Sequence, residues 1–376
     1  MKNITYISEL CLPSNSGYAQ HVLKICDTFS KKFNTSLFVI SNNKSFKRYK
    51  KEYTLKNGFK INSYAKNGKN NSIKRILFSF YVLKNINKNS LVISRSLISS
   101  LILSIFGVSN ILELHHPPKG LSSYFFNIYR LLKLDKNLDY IFLHKNIKKY
   151  LKVKKGIVLD DACDLSDFKL GKLKVKYEYS YVGSLFKGKG LEKIIKLAIY
   201  FPKKKFHVFG DIKTIDRNFN KFQINRLKNL YMHNFKSYKY IPSILMSSKY
   251  LLLPYSNKVS VNSKNLEVSN FMSPLKMFDY LASGKVVIAS NLKVYSHVLK
   301  NNFNCLMPKR NDIESWINLI NRISNKNINF NSLKENALNT ASKYTWDKRT
   351  KKIVNYFKKE FLKDLWNKKY TTGLPL

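Results

Sequence analysis

Short runs of β-branched and aromatic residues alternate with longer amphipathic runs along the whole chain. In the first half the apolar runs predict strands over 3–8, 35–41, 90–94, 110–114 and 140–144. The run at 17–33 instead places Val22, Leu23, Cys26 and Phe29 on one helical face. Strands that alternate with helices are typical of an α/β fold with parallel sheets.

The second half repeats this alternation. It predicts strands over 178–183, 205–210, 249–254, 285–290 and 303–308. Between the halves, residues 160–176 are polar and lack clear periodicity. A chain of 376 residues suits two domains, because single domains usually hold about 100–200 residues. We therefore predict two α/β domains, 1–168 and 169–345.

The chain is strongly basic, with 68 Lys and Arg against 22 Asp and Glu and a formal net charge of +46. Such a charge attracts anionic lipid, polyanions or phosphorylated ligands. Lys, Asn, Ile and Tyr are all abundant, so a biased base composition of the genome is an equal explanation. A nucleic-acid-binding protein is disfavoured, because no helix-turn-helix, zinc finger or aromatic RNA-binding motif occurs.

The four cysteines are scattered and form no C-x-x-C pair. With no histidine close to them in sequence, they predict a reduced, cytoplasmic chain without a zinc site. The N-terminus shows no signal-peptide hydrophobic region. The most apolar span, 96–114, is interrupted by Gly107, Ser109 and Asn110, and it predicts a buried helix followed by a strand. The basic and apolar run at 70–88 predicts either a packed surface helix or a lipid-facing one.

Two glycine loops could approach a phosphate. Gly17 lies at a predicted strand-to-helix turn, where it either lets a ligand approach the helix N-terminus or merely permits the turn. Gly183 precedes a loop that carries Lys187 and Lys189, followed by a helix from about residue 191. That loop suits a diphosphate, although a solvated lysine-rich turn explains it equally well. The Lys-Ser/Thr pair of a Walker loop is absent.

The stretch from Ser273 to Asp279 is a third candidate. Ser273 is a suitable N-cap and Pro274 a suitable first helical residue. Lys276 in the first turn opposes the helix dipole unless an anion neutralises it. Asp279 falls on nearly the same face, where it either accepts hydrogen bonds from ribose hydroxyls or pairs with Lys276.

His115 and His116 directly follow a predicted strand, where α/β folds place residues that face ligands. An imidazole there could hydrogen-bond a sugar or act on a proton. The His-His-Pro-Pro sequence is equally a turn that ends the strand.

The order of these motifs resembles the retaining glycosyltransferases of family 4 (glycosyl transferases group 1). The similar segments are "LELHH", "YVGSLFKGKGLEKII", "SPLKMFDYLASGKVVIAS" and "YTWDKRTKKIVNYF". The resemblance implies the GT-B fold, in which two Rossmann-like domains with parallel sheets face each other across a cleft. The first domain would bind the acceptor and the second a nucleotide sugar. A C-terminal helix, 346–366, would pack back on the first domain, and 367–376 would be a frayed tail.

The resemblance also assigns roles to individual residues. His115 would contact the transferring sugar and Asp279 the ribose, and both are the candidate catalytic residues. The other donor-binding residues would be Gly17, Gly183, Ser184, Lys189, Ser273, Pro274, Leu275 and Lys276. The family's pair of glutamates would fall at Phe271 and Asp279, so the first carboxylate is missing.

The predicted function is transfer of a sugar, with retention, from a nucleotide diphosphate sugar to a carbohydrate or polyprenyl-linked glycan acceptor. The expected setting is bacterial surface polysaccharide synthesis (capsule, O-antigen or lipopolysaccharide), at the inner face of the cell membrane. We expect no metal and no cofactor besides the nucleotide sugar as co-substrate. The alternative is a non-catalytic protein of the same fold that binds nucleotide sugars or acts as a scaffold.

Overall fold

The computed structural model describes residues 2–68, 70–215, 224, 226–260, 267–325 and 328–371. Within these residues the chain forms two parallel sheets, one of seven strands and one of five. The first sheet ends at Val158 and the second begins at Tyr177. The predicted boundary between residues 168 and 169 falls in the connecting segment.

The first sheet has the strand order β3-β2-β1-β4-β5-β6-β7. Its strands are β1 (Asn3–Leu12), β2 (Asn34–Asn42), β3 (Lys60–Ala65), β4 (Leu91–Ser94), β5 (Asn110–Leu114), β6 (Leu138–Phe142) and β7 (Ile157–Val158). The helices between them are α1 (Gly17–Phe29), α2 (Phe46–Glu52), α3 (Ser72–Asn85), α4 (Leu97–Ile105), α5 (Leu121–Leu131) and α6 (Lys145–Tyr150). The strand order reverses direction between β1 and β4, and open α/β sheets bind ligands at such a point.

The second sheet has the order β10-β9-β8-β11-β12. Its strands are β8 (Tyr177–Val182), β9 (Phe206–Phe209), β10 (Leu230–His233), β11 (Ser248–Leu253) and β12 (Val286–Ala289). The accompanying helices are α7 (Leu191–Tyr200), α8 (Ile241–Met246), α9 (Leu275–Ala282), α10 (Ile313–Ser324) and α11 (Phe330–Ala341). Here the order reverses between β8 and β11, which again marks the carboxyl edge of the sheet as the place for a ligand.

The last helix, α12 (Trp346–Thr371), packs back on the first domain, as predicted. Trp346, Ile353 and Phe357 are buried in one apolar cluster with Ile4 and Val22 of the first domain. The helix continues past the predicted end at residue 366. Residues 372–376 of the predicted tail lie outside the described residues.

Most predicted strands are present, but three strands of the structure were not predicted from the hydrophobic pattern. Strand β3 is half-exposed along its length, β7 has only two residues, and β10 carries exposed and half-exposed side chains, so none shows a continuous apolar run. The strand predicted over 303–308 is wrong. That segment makes only the isolated bridges Ile288–Leu306 and Asn301–Cys305, because its pairing with β12 stops after one residue.

The apolar span 96–114 forms helix α4 and strand β5, as predicted. None of the helices in the described part of the chain has the length and hydropathy to cross a bilayer. Helix α1 ends four residues before its predicted end, and Val22, Leu23, Cys26 and Phe29 on its apolar face are buried. All four cysteines are free.

Candidate active site

Two lysines of the second domain lie beside the same aromatic ring. The Nζ atoms of Lys189 and Lys276 are 4.8 and 5.7 Å from the centroid of Tyr255. Neither forms an ion pair with a carboxylate of the described residues. Burial lowers the pKa of Lys189 to about 8. Burial, and then the charge of Lys189, hold the pKa of Lys276 well below its usual range. Confining two cations together without a counterion is costly, so the pair favours binding of an anion.

The loop after β8 brings these lysines together. Gly183 has φ +144°, and a side chain at this position would collide with the Lys276 amine. Gly188 has φ +80°, and a side chain there would collide with the backbone carbonyl of Lys258. These conformations are accessible to glycine and unfavourable for other residues. Gly183 is therefore required by its backbone conformation, and Gly188 by its conformation and by close packing against the backbone. The carbonyl of Ser184, another predicted site residue, accepts a 2.6 Å hydrogen bond from the Tyr181 hydroxyl.

Helix α9 begins one residue later than predicted. Pro274 occupies the N-cap position and Leu275 is the first helical residue, so the assignment of Ser273 as N-cap is wrong. The Ser273 hydroxyl instead contacts the segment between the sheets. It donates to Asp160 Oδ1 (3.0 Å) and accepts from the Asp161 N–H (3.2 Å). Ser273 thus joins the second domain to the segment between the sheets.

At the start of helix α9, the side chains of Leu275 and Lys276 contact different domains. The Leu275 side chain packs against the apolar cluster of the first domain. Lys276 lies in the first helical turn, as predicted, with its amine beside Tyr181 and Tyr255 of the second domain. The helix N-terminus therefore lies where the two domains meet.

Asp279 also faces the first domain. Its Oδ2 accepts a 3.3 Å hydrogen bond from Gln20 Nε2 of α1, and its buried Oδ1 has no partner among the described residues. It forms no ion pair with Lys276 there, so that alternative is not realised. Burial raises the pKa of Asp279 to about 7. The unpaired oxygen is available to a ligand hydroxyl. Gln20 was not among the residues predicted from the sequence, although its polar side chain on an otherwise buried helix face was an available signal.

His115 follows β5 at the carboxyl edge of the first sheet. Its Nε2 is 3.1 Å from Glu113 Oε1, and its ring makes an edge contact with His21 at 4.7 Å. Burial is the main cause that lowers the pKa of His115 to about 3, so the imidazole is neutral near pH 7. His116 instead donates from Nδ1 to the Pro117 carbonyl at 2.9 Å. This contact favours the interpretation of His116 as part of the turn that ends the strand.

A buried polar network surrounds Glu113. Its carboxylate accepts hydrogen bonds from the Tyr6 hydroxyl (2.5 Å) and from Arg349 Nη2 (2.7 Å) of α12. Burial alone would raise the pKa of Glu113, but the charges of His21 and Arg349 hold it well below its usual range. Arg349 also donates to the Leu159 carbonyl at 2.6 Å. The network thus connects α12, β5 and the segment between the sheets.

His21 extends this network towards the second domain. Its Nδ1 is 2.6 Å from Asp161 Oδ1, and the Asp161 N–H donates to Ser273. Potential ligand atoms of His21, His115 and Asp161 lie within 4.8 Å of one another, a spacing that could hold a metal ion. In this structure the three side chains are hydrogen-bonded to one another or to Glu113. No sequence motif predicted this group, because its members are more than 45 residues apart in the chain.

Gly17 is the first residue of α1, whose N-cap Ser16 accepts from the Ala19 N–H at 3.2 Å. The backbone of Gly17 is not left-handed, and a side chain added there would meet no atom within 4 Å. The turn therefore does not require a glycine. The approach of a ligand to the helix N-terminus at Gly17 stays a prediction.

Comparison with known proteins agrees with this arrangement. The family model described as "Glycosyl transferases group 1" matches residues 164–340, which include the lysine pair, the Gly183 loop and helix α9. These residues are similar to a glycosyl transferases group 1 domain. No curated protein matches the chain.

Solved structures resemble nearly the whole chain, not only residues 164–340. Anabaena HepE in complex with UDP is 12% identical, with a TM-score of 0.70, covering 96% of this chain and 100% of its own. A glycosyltransferase from Rickettsia africae is 14% identical, with a TM-score of 0.72 and coverages of 96% and 99%. Sucrose-phosphate synthase from Thermosynechococcus elongatus is 12% identical, with a TM-score of 0.69 and coverages of 96% and 100%. The predicted GT-B fold is confirmed.

Proposed function

We propose that this protein transfers a sugar from a nucleotide diphosphate sugar to a glycan acceptor. The observation that carries the proposal is the pair Lys189 and Lys276 at the carboxyl edge of the second sheet, two confined lysines that no carboxylate of the described residues pairs with. A diphosphate supplies the missing negative charge. HepE has been crystallised with UDP and with UDP-glucose, which supports a uridine diphosphate sugar as the donor.

The chemistry follows from charge and position. When the bond between sugar and diphosphate breaks, negative charge develops on the leaving diphosphate, and the two lysine amines stabilise it. They supply the charge that a bound metal supplies elsewhere, so the proposed reaction needs neither metal nor cofactor. The unpaired Oδ1 of Asp279 accepts a hydrogen bond from a ribose hydroxyl. Neutral His115 hydrogen-bonds the transferring sugar, and transfer proceeds with retention, as in family 4.

We further propose that the acceptor is a carbohydrate or polyprenyl-linked glycan in bacterial surface polysaccharide synthesis. The protein would then lie on the inner face of the cell membrane. A group of large apolar side chains on α3, at the end of α4 and on α5 of the first domain supports this location. All are 46 to 77% exposed: Ile73, Leu77, Phe80, Phe106, Leu121 and Phe125. The rings of Phe80 and Phe106 lie 6.3 Å apart, so α3 and α4 present one apolar surface. The net charge of +46 favours anionic lipid.

A donor screen tests the proposal. Purified protein is titrated with UDP-, GDP-, ADP- and CMP-sugars, with and without EDTA, and donor hydrolysis and transfer to membrane extracts are measured. The proposal expects metal-independent turnover of one nucleotide class. Turnover that EDTA abolishes would refute metal independence, and binding of no nucleotide sugar would refute the donor site.

The non-catalytic alternative has one specific observation in its favour. Where the family's first carboxylate is expected, the ring of Phe271 instead packs edge-on against Tyr150 at 5.8 Å. Nucleotide-sugar binding without turnover, with membrane acceptors present, would favour that alternative.

A further inference from the structure

Arg95 lies at the point of the first sheet where the strand order reverses. It follows β4 directly, and its N–H donates to the Ile7 carbonyl of β1 at 2.9 Å. The residue is therefore fixed at the carboxyl edge between β1 and β4. Gly17 and Tyr18 follow β1 at the same edge, and His115 follows β5. No motif of the sequence analysis included Arg95.

The guanidinium group of Arg95 is held by an aromatic ring. Its central carbon lies 4.0 Å from the centroid of Tyr18, whose hydroxyl accepts a 2.8 Å hydrogen bond from Ser8. Ring and backbone thus fix the position of the cation without neutralising it.

The charge of Arg95 has no counterion in the described part of the chain. Its Nη1 is buried and lacks a hydrogen-bond partner there. Glu9 of β1 is engaged elsewhere, because it pairs with Arg75 (3.0 Å) and accepts from the Ser96 hydroxyl (2.7 Å). A buried guanidinium nitrogen without an acceptor costs free energy, which a bound anion recovers.

Arg95 also lies close enough to His115 and His116 for its charge to lower their pKa values. After burial, its positive charge is the next cause that lowers the pKa of His115, and it lowers the pKa of His116 as well. The cation and the residue proposed to contact the transferring sugar therefore share one region of the first domain. The two donor lysines belong to the second domain.

We propose that Arg95 binds an anionic group, a phosphate or a carboxylate, on the acceptor. The inference rests on the proposed function and on the expectation, from the family resemblance, that the first domain binds the acceptor. A planar guanidinium matches both groups, because each offers a pair of oxygens to its fork of N–H donors. The acceptor class is thus a glycan that carries a phosphate or a uronic acid near the reacting hydroxyl.

Calorimetric titrations with matched ligands test this inference. Saturating UDP first fills the donor site, and glucose, glucose 1-phosphate and glucuronate are then titrated separately. We expect the parent to bind at least one of the two anions about tenfold more tightly than glucose, the contribution of one charge-assisted contact. Whichever anion is preferred identifies the source of the charge. Arg95→Met should abolish the preference. Arg48→Met, which removes an exposed arginine of the same domain, should leave it unchanged.

Three results would overturn the inference: no preference in the parent, a preference that survives Arg95→Met, or weaker UDP binding in Arg95→Met, which would assign the cation to the donor. UDP affinity is measured separately, so a failure of the donor site is recognised independently. If Arg95→Met does not fold, the parent provides the test through phenylglyoxal labelling and peptide mass spectrometry. Glucose 1-phosphate or glucuronate should then protect Arg95, and equal labelling with and without them would contradict the inference.

Discussion

The amine of Lys276 donates a 2.9 Å hydrogen bond to the Tyr181 hydroxyl and lies 4.0 Å from the centroid of the same ring. The hydroxyl in turn donates to the Ser184 carbonyl. Tyr181 therefore positions the cation through its ring and its hydroxyl, neither of which carries a charge. No carboxylate of the described residues pairs with Lys276, so its amine is available to an anion.

Loss of this cation should weaken donor binding. We expect Lys276→Ala to bind UDP about tenfold more weakly than the parent, since one charge-assisted contact is lost. Lys187→Ala is the matched control, because Lys187 is an exposed lysine of the same loop region and should bind like the parent. Isothermal titration calorimetry measures both. Equal UDP affinity in Lys276→Ala and the parent would show that the donor site is wrongly assigned.

The pH dependence of UDP binding should report on Lys189. Its pKa of about 8 means that it is protonated below pH 8 and loses its charge as the pH rises through that value. Diphosphate binding needs the charged form, so affinity should fall between pH 8 and pH 10. Lys189→Arg stays charged over this range and should flatten the profile. A parent profile that is already flat would contradict the prediction.

Asp279→Asn should stabilise the protein at neutral and alkaline pH. Burial raises the folded pKa of Asp279 to about 7 from an ordinary 3.8, so between these values the unfolded chain releases a proton that the folded chain keeps. The folded parent therefore loses stability as the pH rises through this window, and asparagine does not ionise. The gain is roughly 4 kcal/mol at most, at about 1.36 kcal/mol per pKa unit.

Melting temperatures of the parent and Asp279→Asn, measured from pH 4 to pH 8, test this prediction. The difference should be near zero at pH 4, grow up to about pH 7 and then stay constant. A variant that melts below the parent at pH 8 would show that ionised Asp279 is stabilised in the fold.

Membrane binding should depend on the apolar surface of α3 and α4. Replacing Phe80 and Phe106 together by serine should lower partitioning onto phosphatidylglycerol vesicles at least tenfold, because burial of each ring contributes roughly 1.5–3 kcal/mol. Phe303→Ser is the control, since Phe303 is a similarly exposed phenylalanine of the second domain. Vesicle co-sedimentation gives the partitioning. If the parent does not bind these vesicles, the proposed membrane location is wrong.

The sequence predicted the elements whose signals are local. Alternating apolar runs indicated most strands of both sheets, and the motifs around Gly183 and Lys276 indicated the donor side of the site. Strand β3 was not predicted, because an edge strand needs few apolar residues and Lys60–Ala65 are mostly half-exposed. Its pairing with β2 becomes visible only in the folded chain.

Contacts between distant residues could not be predicted in this way. Gln20 and Asp279 are 259 positions apart, and Glu113 and Arg349 are 236 apart. Arg95 follows a strand like many other polar residues. It is set apart by the position of Tyr18 and by the lack of a counterion among the described residues. The cap of α9 was misassigned for the same reason, since Ser273 is engaged by Asp160 and Asp161.

The buried pair of Arg349 and Glu113 should be essential for stability. Arg349→Met removes a principal cation from beside Glu113, which stays buried and ionised. Such a change typically lowers the free energy of unfolding by about 3–5 kcal/mol. Lys31→Met breaks the exposed pair with Asp347, which lies on the same helix as Arg349, and should cost no more than about 1 kcal/mol. Chemical denaturation of the parent and both variants measures these costs. Comparable small losses in the two variants would show that the Glu113 network does not hold α12 against the first domain.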